Sequence, residues 1–340
     1  MRRIIIDDNI RSWANSYSAQ VQLECPNVVL ELEELRDVVV AKNNWTDPSA
    51  VRGYIDALIN DYPAILTLEP SQWDFAKYKA FTDKEPEMLS KKVVYGYTKG
   101  SKKKGVVQPP KPKEGIFYER IMFCLRYKEA RAILGPIHMQ MGLKTCVYCN
   151  AVPSLSSNDG EVFYEMDHLK PESLYPFLGT CFYNLQPSDG SCNKRKLTQP
   201  CDFQLFVNDQ TMPLSPYIFL PQVVELKNTK GYGCLKIDFC SQDGTKTAES
   251  KAHDTTFKIT SRYLQLGDKV VDIYWRNQTA ARTGQVANYI NGLGYQPTRN
   301  EITEFCLGCP YDETLIHEDV YRKLRFDTIR QLEENNLLNM

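Results

Sequence analysis

A pair of cysteines near the middle of the chain constrains the fold more than any other feature. Cys146 and Cys149 stand two residues apart in the segment CVYCN, a spacing that lets two thiolates bind one tetrahedral zinc ion. A second C-x-x-C pair is expected to complete such a site, but the chain offers the segment DGSC, from Asp189 to Cys192. The sequence therefore predicts a structural zinc site with one altered ligand, formed by Cys146, Cys149, Cys192 and Asp189.

Asp189 has three interpretations. Its carboxylate can bind zinc, since oxygen is an accepted though less common zinc ligand. It can instead cap the helix that the following basic segment SCNKRK predicts, in which case Cys181 or Cys201 would complete the site. In the third interpretation no zinc is bound, and Cys146 and Cys149 are packed as small apolar side chains.

Composition is typical of a soluble globular protein. Charged residues make up 24% and hydrophobic residues 42% of the 340 positions, and no apolar run is long enough to span a membrane. The apolar run in the start, MRRIIIDDN, is too short for the core of a signal peptide, so we expect a cytoplasmic protein. We therefore expect the eleven cysteines to be thiols and metal ligands. A net charge of −1 argues against coating nucleic acid through bulk charge, while local basic surfaces can still contact phosphate.

The hydrophobic pattern divides the chain into regions. Residues 1–90 carry apolar residues at three- and four-residue spacing and predict a mostly helical region. Residues 116–200 open with a helix that Gly135-Pro136 is expected to end, and they include the cysteine pair. Residues 201–340 alternate between strand and helix patterns. No phosphate-binding G-x-x-x-x-G-K-[ST] motif is present, so a partner would have to supply any nucleotide-driven step.

A basic segment joins the first two of these regions. Lys91 to Lys113 contain eight lysines and no acidic residue. Their glycine and proline content predicts a loop over residues 91–115. This loop is either a solvated linker or a flexible arm that binds phosphate, and the two interpretations have equal weight. Three consecutive residues would form the centre of such an arm: Lys102, Lys103 and Lys104.

Polar residues that suit phosphodiester hydrolysis follow the cysteine pair. The segment EVFYEMDHL predicts a strand that ends near Asp167 and His168. Hydrolysis needs a base for the attacking water, which suits His168, and a cation for the phosphate charge. The Asp167 carboxylate and the Asn193 carbonyl oxygen suit Mg²⁺ or Mn²⁺. Because neighbouring strand residues point to opposite faces, we expect the strand to end or distort at Asp167-His168.

The order C-x-x-C, D-H-x-x-P, N-L and C-N-x-x-K resembles the signature of HNH endonucleases, whose fold is the ββα-metal finger. The longer string MDHLKPESLYPFLGTCFYNLQPSDGSCNKRK is similar to HNH nucleases of bacterial anti-phage defence systems, including the nuclease subunit of Septu-type systems. The resemblance covers residues 146–196, and it departs from the family pattern at Asp189, where the family has cysteine.

This resemblance implies an α+β protein in which a mostly helical N-terminal region and a mixed C-terminal region surround a central ββα-metal nuclease module. It implies that His168 activates water, that Asp167 and Asn193 hold the divalent cation, and that Asn184 braces the connecting loop. Residues beside the metal would meet the phosphate backbone: Lys194, Arg195 and Lys196. The implied function is a defence effector that cuts DNA first, with RNA as an alternative, and works with a separate ATPase or sensor subunit.

Two other interpretations compete with the nuclease. The chain can be a non-catalytic zinc-ribbon module that binds nucleic acid or a partner, or an inactive nuclease relic, against which the intact Asp-His-Asn set argues. Cys306 and Cys309 form a second C-x-x-C, which we interpret as two buried thiols at a helix end. The remaining histidines have no ligand-like neighbours and are expected to be structural or exposed: His138, His253 and His317.

Overall fold

Helices form most of the N-terminal region, as the spacing of its apolar residues predicts. The computed structural model describes residues 1–99, 101–103, 106–108, 110–198, 203–209, 213–220, 223, 235–280, 292, 294 and 296–338. Helix α1 (Asp8–Glu24) begins at Asp7, whose carboxylate accepts a hydrogen bond from the Ile10 N–H at 2.9 Å. The next three helices are α2 (Val28–Lys42), α3 (Pro48–Asp61) and α4 (Phe75–Thr82).

The basic segment forms strands, and the prediction of a loop over residues 91–115 is wrong. Strand β2 (Lys92–Tyr97) pairs antiparallel with β5 (Pro112–Ile116), and β3 (Ser101–Lys103) pairs with β4 (Val106–Gln108). Valines supply the β-forming residues, and Pro112 stands at the first position of its strand, where a missing N–H is tolerated. The four strands β2 to β5 are together called the basic ribbon below.

Two helices, not one, lead to the cysteine pair. Helix α5 (Phe117–Cys124) and helix α6 (Tyr127–Gln140) are separated at Arg126, which adopts a left-handed backbone conformation with φ of 58°. The prediction that Gly135-Pro136 ends the helix is wrong, because α6 continues through Pro136. Burial of the last turn, including His138, outweighs the hydrogen bond that proline cannot make.

A hairpin and a short helix lie at the centre of the molecule. Strand β6 (Glu165–His168) pairs antiparallel with β7 (Leu185–Ser188), so that Asp167 lies opposite Gln186. Strand β7 leads directly into α7 (Gly190–Thr198), the helix predicted from the segment SCNKRK. Strand β6 ends at His168, which confirms the expectation that the strand stops there.

The C-terminal region mixes strands and helices, as predicted. Strand β1 (Ile4–Ile5) pairs parallel with β8 (Phe206–Val207), which joins the start of the chain to the segment after the central hairpin and α7. Strand β9 (Leu214–Ile218) pairs antiparallel with β10 (Ile237–Ser241). The helices after β10 include α8 (Ala248–Phe257), α9 (Ile259–Leu264), α10 (Gly267–Ala280), α11 (Arg299–Leu307) and α12 (Arg322–Glu334).

One hydrophobic core runs through all these regions. Buried apolar residues from the N-terminal helices, the central hairpin and the C-terminal strands belong to a single cluster. The Tyr17 hydroxyl of α1 donates to the Thr180 carbonyl at 2.8 Å, and this bond ties the N-terminal region to the loop between β6 and β7. The protein is therefore α+β, and in the described part of the chain every sheet has two strands.

Candidate metal centre and catalytic cleft

Three buried cysteines converge beside the central hairpin. The Sγ atoms of Cys146, Cys149 and Cys192 lie within 4.8 Å of one another, and all three residues are fully buried. A turn brings the first two together, with the Asn150 N–H bonded to the Cys146 carbonyl at 2.8 Å. Cys192 reaches them from the first turn of α7. Three convergent sulfur atoms fit a metal ion such as zinc, and these residues are called the thiol cluster below.

Asp189 caps helix α7 and does not join the thiol cluster. Its Oδ2 atom accepts hydrogen bonds from the backbone N–H groups of Ser191 at 3.2 Å and Cys192 at 3.3 Å. Among the residues that the structure describes, no other ligand atom lies within 4.8 Å of all three sulfurs. The geometry therefore supports the helix-cap interpretation of Asp189 over the ligand interpretation.

The cysteines considered as replacements are elsewhere. Cys181 is buried against the N-terminal region, where its thiol donates to the Leu68 carbonyl at 3.3 Å. Cys201 lies outside the described residues. Arg262 of α9 approaches the cluster instead, with its Nη1 atom 3.4 Å from Cys192 Sγ. Hydrogen bonds from the other two cysteines lower the pKa of the Cys149 thiol, and the Arg262 charge acts in the same direction.

A cleft of about 760 Å³ brings together most of the residues predicted to be catalytic. Asp167 and His168 at the end of β6 line it, together with Asn193 and Lys196 from α7. Glu172, in the loop between the two strands, lines it too. The hairpin supplies one wall and the helix the other, because α7 packs back against β6.

His168 is oriented by its backbone surroundings. Its Nε2 atom lies 2.9 Å from the Gly179 carbonyl oxygen, and a carbonyl oxygen can only accept, so Nε2 carries a proton. In the neutral ring Nδ1 then keeps its lone pair, and it lies 3.4 Å from the Glu172 carboxylate. Burial lowers the pKa of His168 to about 4, so the ring is neutral at pH 7.

Asp167 is a buried carboxylate with charged and polar partners. Its Oδ2 atom accepts from the Lys196 ammonium at 2.7 Å and from the Tyr148 hydroxyl. Burial raises the pKa of Asp167, while the charge of Lys196 opposes that rise. Lys196 also donates to the His168 carbonyl at 2.5 Å, so one ammonium holds the last two residues of β6.

Asn193 and Asn184 have different positions and different partners. Asn193 donates from Nδ2 to Glu165 at 2.7 Å, and this bond fixes the orientation of its amide. Asn184 is fully buried and does not line the cleft. It accepts from the Lys170 N–H at 2.7 Å and donates to the carbonyls of Lys170 at 3.2 Å and Leu178 at 3.0 Å. Asn184 therefore closes the loop that follows His168.

The basic residues predicted to bind nucleic acid are only partly gathered at the cleft. Lys194 and Arg195 are exposed on the outer side of α7, whereas Lys196 turns inward, with its side chain 9% exposed. Lys102 and Lys103 belong to strand β3 of the basic ribbon, and Lys104 lies outside the described residues.

Three residues of the site carry no family motif and were not predicted. Glu165 stands two residues before Asp167, and the alternation of a strand places both on one face. Tyr148 lies between the two cysteines of CVYCN, a position that marks it as close to the metal centre. No sequence signal marks Glu172, because its approach to His168 depends on the path of a loop.

The other polar candidates are structural, as predicted. His138 lies beside the Tyr164 hydroxyl at 3.1 Å, His253 beside the Tyr148 carbonyl at 2.7 Å, and His317 beside the Arg2 carbonyl at 3.0 Å. All three histidines are buried. Of the two thiols predicted to be buried at a helix end, Cys309 is buried just after the end of α11, whereas Cys306 is only partly buried within it.

Comparisons with known proteins do not extend the assignment. In the part of the chain that the structure describes, none of the helices has the length and apolar character needed to cross a membrane. No family model, no curated protein and no solved structure matches the chain.

Proposed function

We propose that this protein is a metal-dependent endonuclease of the HNH type, with the central hairpin and helix α7 as its ββα-metal module. The orientation of His168 carries the proposal. Its Nε2–H is held by the Gly179 carbonyl, and its Nδ1 atom lies 3.4 Å from Glu172. His168 lines the cleft together with Asp167, Asn193 and Glu172. A neutral imidazole held in one tautomer beside oxygen ligands is the arrangement that activation of water requires.

The oxygen atoms of the cleft fit Mg²⁺ or Mn²⁺. Within the described part of the chain, the hydrogen bonds from Tyr148 and Lys196 to the Asp167 carboxylate both end on Oδ2, so Oδ1 is the atom for a cation. Asn193 donates through Nδ2, and its carbonyl oxygen remains as the second ligand. A bound divalent cation would neutralise charge on the phosphate and on the leaving oxygen. Lys196 would share that task with its ammonium, which already lies in the cleft.

The surroundings of the cleft support the same proposal. Asn184 closes the loop after His168 and holds that residue at the end of β6. The thiol cluster fixes the start of α7, and α7 in turn carries Asn193 and Lys196. We further propose duplex DNA as the first substrate, RNA as the alternative, and a role as the nuclease of a bacterial anti-phage defence system with a separate ATPase or sensor subunit.

A second candidate function is a non-catalytic zinc-ribbon module that binds nucleic acid or a partner. The ion pair between Lys196 and Asp167 favours it, because the ammonium already neutralises the carboxylate that a cation needs. The two candidates differ in what they tolerate. A binding module keeps its function in Asp167→Asn and Asn193→Ala variants, whereas the nuclease loses cutting in both.

The test is a cleavage assay on plasmid DNA, single-stranded DNA and RNA with Mg²⁺, with Mn²⁺ or with a chelator. We expect the wild-type chain to cut at least one substrate only with a divalent cation, and His168→Ala to lose more than about a hundredfold in rate. His138→Asn is the matched control, since His138 is also a buried histidine but does not line the cleft. Cutting by His168→Ala at the wild-type rate, with both variants folded, would show that the assignment is wrong.

A further inference from the structure

We propose that Arg120 and Phe123 of helix α5 form a binding site for an unstacked nucleotide of the substrate strand. In this site the guanidinium contacts a phosphate and the phenyl ring stacks on a base. The inference rests on the proposed nuclease function and names where the strand runs outside the cleft. It implies that the bound stretch of nucleic acid is single-stranded at this point, because only an unpaired base exposes its face to a side chain.

Arg120 is held in place by aromatic rings and not by carboxylates. Its Cζ atom lies 4.6 Å from the centre of the Tyr95 ring, on the basic ribbon, and 5.4 Å from that of the Phe123 ring. Gly115 leaves room for it, since a Cβ atom there would lie 3.2 Å from Arg120 Nε. Within the described residues Arg120 has neither an ion-pair nor a hydrogen-bond partner, and its Nε atom is buried.

Arg120 on α5 and Arg126 just after α5 differ in whether a carboxylate pairs with them. Arg126 also lies near the Phe123 ring, at 5.7 Å, but it pairs with Glu31 and, at 3.7 Å, with Glu129. A planar guanidinium that is fixed in position and carries no counter-charge is suited to a phosphate, because binding costs little side-chain entropy and breaks no existing ion pair. Arg120 meets both conditions and Arg126 does not.

Phe123 supplies the second half of the site. Phe123 is 58% exposed, whereas Phe117 and Ile121 of the same helix are fully buried. An exposed aromatic ring flanked by arginine is the kind of platform on which bases of single-stranded nucleic acid stack.

The site adjoins the catalytic cleft. Arg120 and Phe123 line a groove of about 450 Å³, and Glu172 lines both this groove and the cleft. Tyr118, which lies before Arg120 on α5, also lines the cleft. A strand whose phosphate lies at His168 can therefore continue past Glu172 to Arg120.

The groove also contains acidic residues, so its charge is mixed. Of its three glutamates, Glu129 already pairs with Arg126 at 3.7 Å, whereas Glu172 faces the neutral ring of His168 at 3.4 Å. We therefore assign the phosphate contact to Arg120 alone and do not describe the groove as a broad basic surface.

The test measures binding without cutting. His168→Ala is the parent, and fluorescence anisotropy follows its binding to labelled single-stranded DNA, single-stranded RNA and duplex DNA at several salt concentrations. We expect Arg120→Gln to weaken single-strand binding about fivefold or more. It should also reduce the salt slope, the slope of log binding constant against log salt concentration, by about 0.7, the value for one lost phosphate contact on a single strand. Phe123→Leu should weaken single-strand binding about tenfold, leave the salt slope unchanged and leave duplex binding unchanged.

Arg276→Gln is the matched control, because Arg276 is an exposed arginine paired with Asp272 at 3.0 Å. It should bind as the parent does. Phe123 is exposed, so its replacement leaves the core intact and the test does not depend on a damaged fold. If the wild-type chain cuts nucleic acid but both test variants bind like the parent, the inference is wrong and the proposed function stands. If the wild-type chain neither cuts nor binds any of the three nucleic acids, both are wrong.

Discussion

The Tyr148 hydroxyl donates a hydrogen bond to the carboxylate of Asp167, and this bond connects the thiol cluster to the cleft. Tyr148 stands between Cys146 and Cys149 and is fully buried. Its ring stacks on Phe257 with centres 4.5 Å apart, so the hydroxyl has little freedom to move. The turn that carries two cysteines of the thiol cluster therefore also fixes the carboxylate that we assign to the catalytic cation.

Tyr148→Phe tests this connection by removing only the hydroxyl. We expect the free energy of unfolding to fall by about 2 kcal/mol, because the buried Asp167 carboxylate loses a donor, and a hydrogen bond to a charged group is worth more than a neutral one. Urea unfolding measures the loss, and isothermal titration with Mn²⁺ measures the expected weakening of cation binding. The control is Tyr62→Phe, since the Tyr62 hydroxyl has no hydrogen-bond partner among the described residues. Equal stability of the two variants would contradict the prediction.

Asn184→Ala should reduce both stability and cutting. Asn184 makes three hydrogen bonds that close the loop after His168, and its loss leaves buried backbone groups unpaired, at a cost of about 3 kcal/mol. Asn43→Ala is the matched control, because Asn43 also makes three backbone hydrogen bonds, to Val39 and Val94, and does not line the cleft. Chemical denaturation and the cleavage rate below the melting temperature are measured for both. If Asn43→Ala lost as much cutting activity as Asn184→Ala, the prediction that Asn184 positions the loop after His168 would be wrong.

Cys192→Ser should release the metal of the thiol cluster. Elemental analysis is expected to find about one zinc per wild-type chain, because three buried thiols supply most of a tetrahedral site. The variant should lose that zinc and melt at a lower temperature, since metal binding to a preformed site stabilises the folded state. Cys240→Ser is the control: Cys240 is equally buried but outside the cluster. Absence of zinc from the wild-type chain purified without chelator would favour cysteines packed as apolar side chains.

Acid should unfold this protein at a higher pH than its carboxylates alone would suggest. Burial lowers the pKa of His168 to about 4 and that of His138, His253 and His317 to about 3. The unfolded chain protonates each near pH 6.5. Their contribution to stability is therefore complete above about pH 6.5 and decreases as the pH falls toward about 4, with a slope approaching 5 kcal/mol per pH unit for four groups.

Urea midpoints measured from about pH 8 to about pH 5 test this dependence. The His138→Asn variant removes one of the four groups and should reduce the slope by about a quarter. A midpoint that stays constant between about pH 7 and about pH 5 would contradict the burial of the histidines as neutral rings.

The sequence by itself determined the elements that local pattern controls. The spacing of apolar residues predicted the N-terminal helices, and the segment SCNKRK predicted helix α7, because helix periodicity and capping are properties of neighbouring residues. Strand β6 and its end at His168 followed from the alternation before Asp167 and from the need to turn adjacent side chains toward one cleft. The three cysteines that converge in the thiol cluster could be identified from their spacing along the chain.

Tertiary structure decided what depends on residues distant in sequence. The basic segment forms a ribbon because its strands pair with each other, and the residues of one strand do not specify its pairing partner. Pro136 remained inside a helix because its turn is buried in the core. The contact of Arg262 with Cys192 and the bond from Tyr148 to Asp167 both required the chain to fold back on itself. Local pattern specifies which elements form, whereas the partners of a buried polar group are specified only by the packing that brings those elements together.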